Sequence, residues 1–247
     1  VNAQNLQRTG RLVTMGEMAS TLAHELNQPL SAIASYATGS LNLLGDGSDL
    51  TRELGADLTV AMRCIAEQAE RAGKVIRSVN DFVRRRDQVR EALAPQLLLD
   101  AVLPLIHLQA RKLSVRVQTQ VEPNVPFAMC DRTMVEQVLL NLARNAMQAM
   151  DQPHIQDRVL LLRVRRLKGR ERTKWLEFSV ADVGAGITPE VQQQLFKPFF
   201  TTKAEGMGLG LSLCRTVVEQ HGGALVFEPN VPQGTVFIFT LPASVVA

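Results

Sequence analysis

The sequence is short of aromatic residues, of cysteine and of any strong charge bias, and each shortage closes a class of function. Aromatics make up 4% of 247 residues, with one tryptophan and one tyrosine, and no basic stripe is interleaved with them. Nucleic acid bases therefore find no stacking platform. A formal net charge of +3 is mild even beside a pI near 9.0, so direct nucleic acid contact is not expected. Cys64, Cys130 and Cys214 are odd in number, widely spaced and set in apolar helical or strand contexts. They read as reduced core thiols of a cytoplasmic protein, without disulfide or metal spacing. No apolar run reaches about 18 residues and no signal peptide is present, so no membrane contact is expected of this stretch. A region before Val1 could still hold a membrane anchor or a sensor. Internal repeats and low-complexity tracts are also missing.

What is present is helical periodicity followed by a mixed pattern. Leu12, Met15, Ala19, Leu22, Leu26, Ile33, Ala37, Leu41 and Leu44 recur at three- and four-residue steps, which predicts one amphipathic helix from residue 1 to about 44. Gly45 to Asp49 is a turn cluster, and Ser48 or Asp49 can cap a second helix reaching about Arg86 through Leu54, Leu58, Ala61, Ile65, Ala72, Ile76 and Val79. Arg84, Arg85 and Arg86 then suit the negative end of the helix dipole as a solvated terminus. Two long helices joined by a short turn bury only one stripe each. Pairing two such hairpins makes a four-helix bundle, so a homodimer is expected.

The helical pattern breaks around Glu91 to Pro95, which places a helical hairpin domain at 1–91 and a second domain at 95–247. From Gln96 the expected order is a helix to Lys112, a strand over 113–119, and a turn from Pro123 to Pro126. A short strand Phe127 to Cys130 follows, then a helix Met134 to Met150 capped by Asp131. Strands at 159–167 and 175–181, joined as a hairpin through 168–170, precede a short helix at 189–195. A Gly-rich segment, a helix at 210–220 and strands at 224–227 and 235–241 complete an α+β sandwich, with 46% hydrophobic content to fill its core.

The first helix carries His24-Glu25-Leu26-Asn27-Gln28-Pro29-Leu30. His24 lies two residues from both Leu22 and Leu26, roughly 200° from each at about 100° per residue, and so should face solvent. A single exposed helical histidine is ordinary. Glu25 adds to it, because a carboxylate can accept the Nδ1 proton and leave Nε2 as the nucleophile. The zinc-protease pattern is absent, since Gln28 stands four residues after His24. Pro29 lacks the N–H that would bond the Glu25 carbonyl, so the helix should loosen within one turn of the histidine.

Four further clusters follow in order. Asn141 and Asn145 sit one turn apart in Asn141-Leu142-Ala143-Arg144-Asn145-Ala146, and an amide oxygen is a hard neutral ligand suited to Mg²⁺ that already carries phosphates. Asp182-Val183-Gly184-Ala185-Gly186-Ile187 follows a strand, where a carboxylate can accept the exocyclic amine of adenine and glycines admit the base. Phe196 to Lys203 joins an apolar anchor to Thr201, Thr202 and a lysine. Gly206-Met207-Gly208-Leu209-Gly210-Leu211-Ser212 runs into a helix whose free N–H groups can cradle phosphates.

These clusters, behind a His-Glu helical hairpin, resemble the kinase core of two-component sensor histidine kinases across essentially the whole chain. HELNQPL is similar to the phosphoacceptor box, NLARNA to the N box, DVGAGI to the first glycine box, FKPFF to the F box and GMGLGL to the second glycine box. The wording of HELNQPL and the short FFTTK-to-GMGLGLS lid resemble the subclass containing the FixL oxygen sensors and DctB dicarboxylate sensors. The resemblance implies a dimeric hairpin followed by a Bergerat-type (GHKL) ATP-binding fold. It makes His24 the phosphoacceptor, Glu25 its activating base, Asn145 the Mg²⁺ ligand and Asp182 the adenine reader. It also implies nucleotide contacts from Asn141, Gly184, Gly186, Thr201, Gly206, Gly208, Leu209 and Gly210, and phosphate contacts from Arg144, Thr202 and Lys203. The implied partner is the receiver domain of a response regulator. Gln28 stands where many relatives carry Thr or Asn and is the candidate residue for phosphatase chemistry. Gln148 stands where some relatives carry lysine, which shifts phosphate neutralisation towards Arg144 and Lys203. Two other readings are weighed beside this one. A GHKL-type ATPase would want a glutamate at position 141, where a neutral amide is a very poor base. A dimeric scaffold with a degenerate pocket would bind nucleotide at most.

Overall fold

The computed structural model describes residues 26–42, 52–83, 90–167, 175–203 and 208–244. His24, Glu25 and Gly206 lie outside the described residues, as do the expected turn at 45–49, the Arg84 to Arg86 helix end and the 168–170 connection. The chain divides into two compact units, Val1–Arg84 and Arg85–Ala247.

In the first unit, helix α1 covers residues 26–42 and α2 spans Arg52–Val83. Tyr36 of α1 lies against Cys64 of α2, and the hydrogen bond between them, with Glu67 nearby, raises the Tyr36 pKa. Cys64 is thus half-buried and polar in its contacts, not the core thiol its apolar neighbours predict. Pro29 is buried, and Ser40, 3% exposed, returns its hydroxyl to the Tyr36 carbonyl at 2.8 Å. Much of the expected apolar face stays open in the single chain. Leu30, Leu41 and Ile76 are all exposed, Ile76 by 51%.

The second unit is one seven-stranded sheet covered by helices. Its elements are β1 (Glu91–Leu93), α3 (Pro95–Lys112), β2 (Arg116–Val121), β3 (Phe127–Cys130), α4 (Arg132–Ala149), β4 (Val159–Arg166), β5 (Trp175–Ala181), α5 (Pro189–Gln192), α6 (Gly210–Gln220), β6 (Leu225–Pro229) and β7 (Thr235–Ser244). The strand order is β1-β3-β7-β5-β4-β2, with β6 also paired to β7. Every pairing is antiparallel except β2 with β4. Periodicity finds no β1, because three residues carry too little alternation; its pairing of Ala92 with Met129 supplies the strand. Strand β2 starts later than expected because Ser114, at φ 53, turns the chain out of α3. The Val115 N–H caps that turn on the Ala110 carbonyl at 2.9 Å.

Asp131 caps α4 by accepting the Met134 N–H at 3.1 Å. Helix α4 then turns Val135, Val138, Leu142 and Ala146 into the core beside α3 and α6. Burying each large apolar side chain contributes roughly 1.5–3 kcal/mol relative to exposure. Phe178 of β5 and Phe239 of β7 stack at 5.0 Å between centroids at the sheet centre. Strand β5 loses its alternation because the far face is closed as well: Glu177, 7% exposed, accepts both Arg165 nitrogens at 2.6 and 3.0 Å. Cys130 and Cys214 are core thiols as expected, and burial pushes each up to about 12.

Candidate functional site

The site grows from the outward face of α4. With one face of that helix committed to the core, Asn141, Arg144, Asn145 and Gln148 fall at i, i+3, i+4 and i+7 on the other. Asn141 Oδ1 accepts the Arg144 guanidinium at 2.8 Å and stands 3.6 Å from where a Cβ on Gly210 would be, which puts it at the start of α6. One turn on, the Lys203 ammonium donates to Asn145 Oδ1 at 3.3 Å and to Gln148 Oε1 at 2.6 Å. Burial, and then the charge of Arg144, lower the Lys203 pKa.

The first glycine loop closes on the C-terminal turn of α4. Strand β5 ends at Ala181 and delivers Asp182, 1% exposed. One carboxylate oxygen accepts the Gly184 N–H at 2.8 Å and the Thr235 N–H at 3.2 Å. Burial outweighs those two bonds and raises the carboxyl from 3.8 to about 6. A Cβ on Gly184 would lie 2.7 Å from the Ala149 carbonyl oxygen, so only glycine lets the loop reach the helix. Gly186 sits at φ 76, in the left-handed region.

The second glycine loop closes against the F-box segment. Gly208 has φ 65, and a Cβ there would stand 2.3 Å from the Phe199 carbonyl carbon. Phe199 itself sits at φ 64, and Phe196 is anchored beside Phe227 at 6.2 Å with the Arg215 guanidinium over its ring at 5.3 Å. Leu209 is buried and precedes α6, whose N-terminus carries no side-chain cap. The first N–H groups of such a helix have no intrahelical acceptor, which is an arrangement suited to an anion. Thr201 accepts the Lys203 N–H at 3.1 Å and serves the turn, while Thr202 is exposed. Gln28, also exposed, belongs to the first unit.

Several residues around Asp182 carry no motif and are found only by packing. Asn230 donates to the Asp182 carbonyl at 2.7 Å, and Gln233 to the Val183 carbonyl at 3.2 Å. Gly234, at φ 114, leaves no room for a Cβ, which would meet the Asp182 carbonyl oxygen at 2.0 Å. The Gln233-Gly234 turn is the one sequence signal for this support. A cavity of about 460 Å³ opens beside it, lined by Gly186, Ile187, Thr235, Asn230, His154 and Phe227 among others, while the α4 amides do not line it. Among the described residues no group of His, Cys, Asp and Glu forms a metal cage. A Mg²⁺ ion would be held through an amide oxygen and phosphates. Asn145 fits that role, since its oxygen already faces a cation, the Lys203 ammonium.

Comparison with known proteins gives the same two parts. The His Kinase A (phospho-acceptor) domain matches residues 14–88, and the histidine kinase-, DNA gyrase B- and HSP90-like ATPase family matches residues 130–245. The chain is 45% identical to the C4-dicarboxylate transport sensor protein DctS of Rhodobacter capsulatus over 97% of its length and 35% of that protein. It is 39% identical to the sensor protein FixL of Bradyrhizobium diazoefficiens, over 97% of this chain and 46% of that protein. The chain thus spans between a third and a half of these curated relatives. Among solved structures, the catalytic domain of histidine kinase ThkA is similar with a TM-score of 0.54 and 31% identity, over 62% of this chain and 95% of that one. ThkA in complex with the response regulator protein TrrA is similar with a TM-score of 0.74 and 25% identity, over 98% of this chain and 66% of that one. Among the described residues no helix is long and apolar enough to cross a membrane.

Proposed function

The chain belongs to the sensor histidine kinases of two-component systems, of the FixL and DctB type, and on that premise we propose that it transfers the γ-phosphoryl group of ATP to His24 and passes it on to an aspartate of a response regulator receiver domain. The observation that carries this reading is the amide-and-cation stripe of α4, closed by the Asp182 loop at one end and the α6 N-terminus at the other. ATP spans it as substrate. Asp182 accepts the adenine amine, Gly184 and Gly186 admit the base, and Gly206, Gly208, Leu209 and Gly210 offer backbone N–H groups to the phosphates. Arg144 and Lys203 carry the counter-charge, and the Thr201 and Thr202 hydroxyls donate hydrogen bonds to phosphate oxygens. Asn145, with Asn141 beside it, would hold Mg²⁺, which would supply charge neutralisation on the phosphate oxygens.

In the transfer step Nε2 of His24 forms a bond to the γ-phosphorus while the bond to the ADP oxygen breaks. Glu25 accepts the Nδ1 hydrogen bond and stabilises the imidazolium that forms. The helical hairpin serves as the phosphotransfer and dimerisation part, and the sheet unit, β1 included, as the ATP-binding domain. The exposed Leu30, Leu41 and Ile76 support a homodimeric four-helix bundle, because a second hairpin would cover them. Both parts work in the cytoplasm, where ATP is available. Gln28, one turn from His24, can orient water for phosphatase chemistry. Against an ATPase, the Asn141 amide is engaged by Arg144 and offers no carboxylate to activate water.

The test is incubation with γ-labelled ATP and Mg²⁺, followed by acid and alkali treatment. Alkali-stable, acid-labile label that disappears in His24→Gln is expected. Nucleotide binding without label would point to a scaffold, and steady phosphate release without label to an ATPase.

A further inference from the structure

Two cations meet at the α4 stripe, and both are held by neutral amides. Arg144 rests on Asn141, and Lys203 rests on Gln148 and Asn145. Among the described residues neither cation forms an ion pair with a carboxylate, whereas Arg116, Arg132, Arg158, Arg165 and Arg215 each do. An amide oxygen fixes the direction of a cation without cancelling its charge. Held this way, the pair keeps its positive potential for an anion arriving at the same face.

The two lysine bonds are unequal. The contact to Gln148 Oε1 is 2.6 Å and that to Asn145 Oδ1 is 3.3 Å. Asn145 is also the oxygen assigned above to Mg²⁺, so the ammonium and the metal would compete for it. Gln148 lies one turn further along the helix and is exposed, clear of the core. We propose that Gln148 is a positioning residue that holds Lys203 against the phosphate site, so that the lysine gives up Asn145 to the metal and stays on α4 through Gln148. The inference rests on the reading of this site as a Mg²⁺-ATP site. It assigns Gln148 a part in recognising the outer phosphates, reached through the lysine and not by contact with nucleotide.

The chemistry has a definite signature. A residue that acts through Lys203 matters only while Lys203 is present, and only for ligands whose phosphates extend to it. AMP should be indifferent to Gln148, and a non-hydrolysable ATP analogue should not.

The experiment is calorimetric titration of the whole chain with AMP and with the Mg²⁺ complex of the non-hydrolysable ATP analogue. It compares the wild type with Gln148→Ala, Lys203→Met and the double variant. Gln148→Ala and Lys203→Met are each expected to weaken the ATP analogue by about tenfold and leave AMP unchanged, with the double variant no weaker than Lys203→Met alone. Gln148→Glu, which keeps a partner for the ammonium but cancels its charge, should weaken the ATP analogue as well. Additive losses in the double variant would overturn the proposal, since Gln148 would then act without the lysine. Unchanged analogue affinity in Gln148→Ala would overturn it equally. If the wild type bound neither ligand, the ATP-site reading itself would fall, which separates that failure from failure of the Gln148 assignment.

Discussion

Gly184 and Ala149 meet so closely that a Cβ on the glycine would stand 2.7 Å from the alanine carbonyl oxygen and 2.9 Å from its Cβ. The contact joins a loop after β5 to the last turn of α4, and it sets the distance between Asp182 and the α4 amides. Gly184→Ala is therefore expected to push the loop outward. Overpacking of this kind costs about 1–3 kcal/mol. A thermal melt should show the loss of stability, and nucleotide titration a weaker site, although no polar group has been removed.

Asp182 sets a pH dependence of two opposite senses. Folding raises this buried carboxyl from 3.8 to about 6, so the folded state holds the proton more tightly than the unfolded chain. The stabilisation from that proton is complete below pH 3.8 and is lost as pH rises through about 6, a difference of roughly 3 kcal/mol. Asp182→Asn should thus melt higher than the wild type at pH 8, and the gap should close by pH 4. The adenine recognition proposed for Asp182 runs the other way, because the ionised carboxylate is the better acceptor. Affinity should rise between pH 5 and 8 in the wild type, and the Asp182→Asn variant should show a flat profile at a lower level.

His221 is 1% exposed and joins the end of α6 to the start of α4. Its Nδ1–H donates to the Val217 carbonyl at 2.7 Å, and its Nε2 accepts the Asp131 N–H at 3.0 Å at the start of α4. Burial is the largest cause holding its pKa below 6.5, the charge of Arg90 adds to it, and Asp131 opposes it. The stability this neutral ring contributes is present above pH 6.5 and falls as pH drops through its folded pKa. His221→Leu should cost about 1–3 kcal/mol at pH 8, mostly from the orphaned Asp131 N–H. Denaturant melts across pH 5 to 8 should also show a shallower acid-side loss in the variant.

Ile76 is 51% exposed in the single chain, on the helical stripe that sequence periodicity assigns to an interface. Ile76→Glu should shift sedimentation from the proposed dimer to monomer while leaving nucleotide affinity unchanged, since every residue proposed to contact nucleotide lies in the second unit. A variant that remained dimeric would move the interface to another face of the hairpin.

The two-part layout, the described helices and most strands were legible in the sequence, as were the motif residues from which the site is proposed. Those features are written in local patterns: three-four periodicity in α2 and α4, the Asp131 cap, and glycines beside a carboxylate at Asp182. Tertiary structure decided what depends on partners distant in the chain. Strand β1 exists because β3 accepts it, and β5 is buried on both faces because Arg165 covers Glu177. Asp182 is desolvated because the β6–β7 connection and the start of β7 bring Asn230, Gly234 and Thr235 over it from about fifty residues away. Lys203 reaches Gln148 across an interval of 55 residues. Spacing along a chain records which groups share a helix face or a turn. It does not record which backbone will close over a carboxylate, or which amide will hold a distant cation, because those are settled only when the sheet and helices pack.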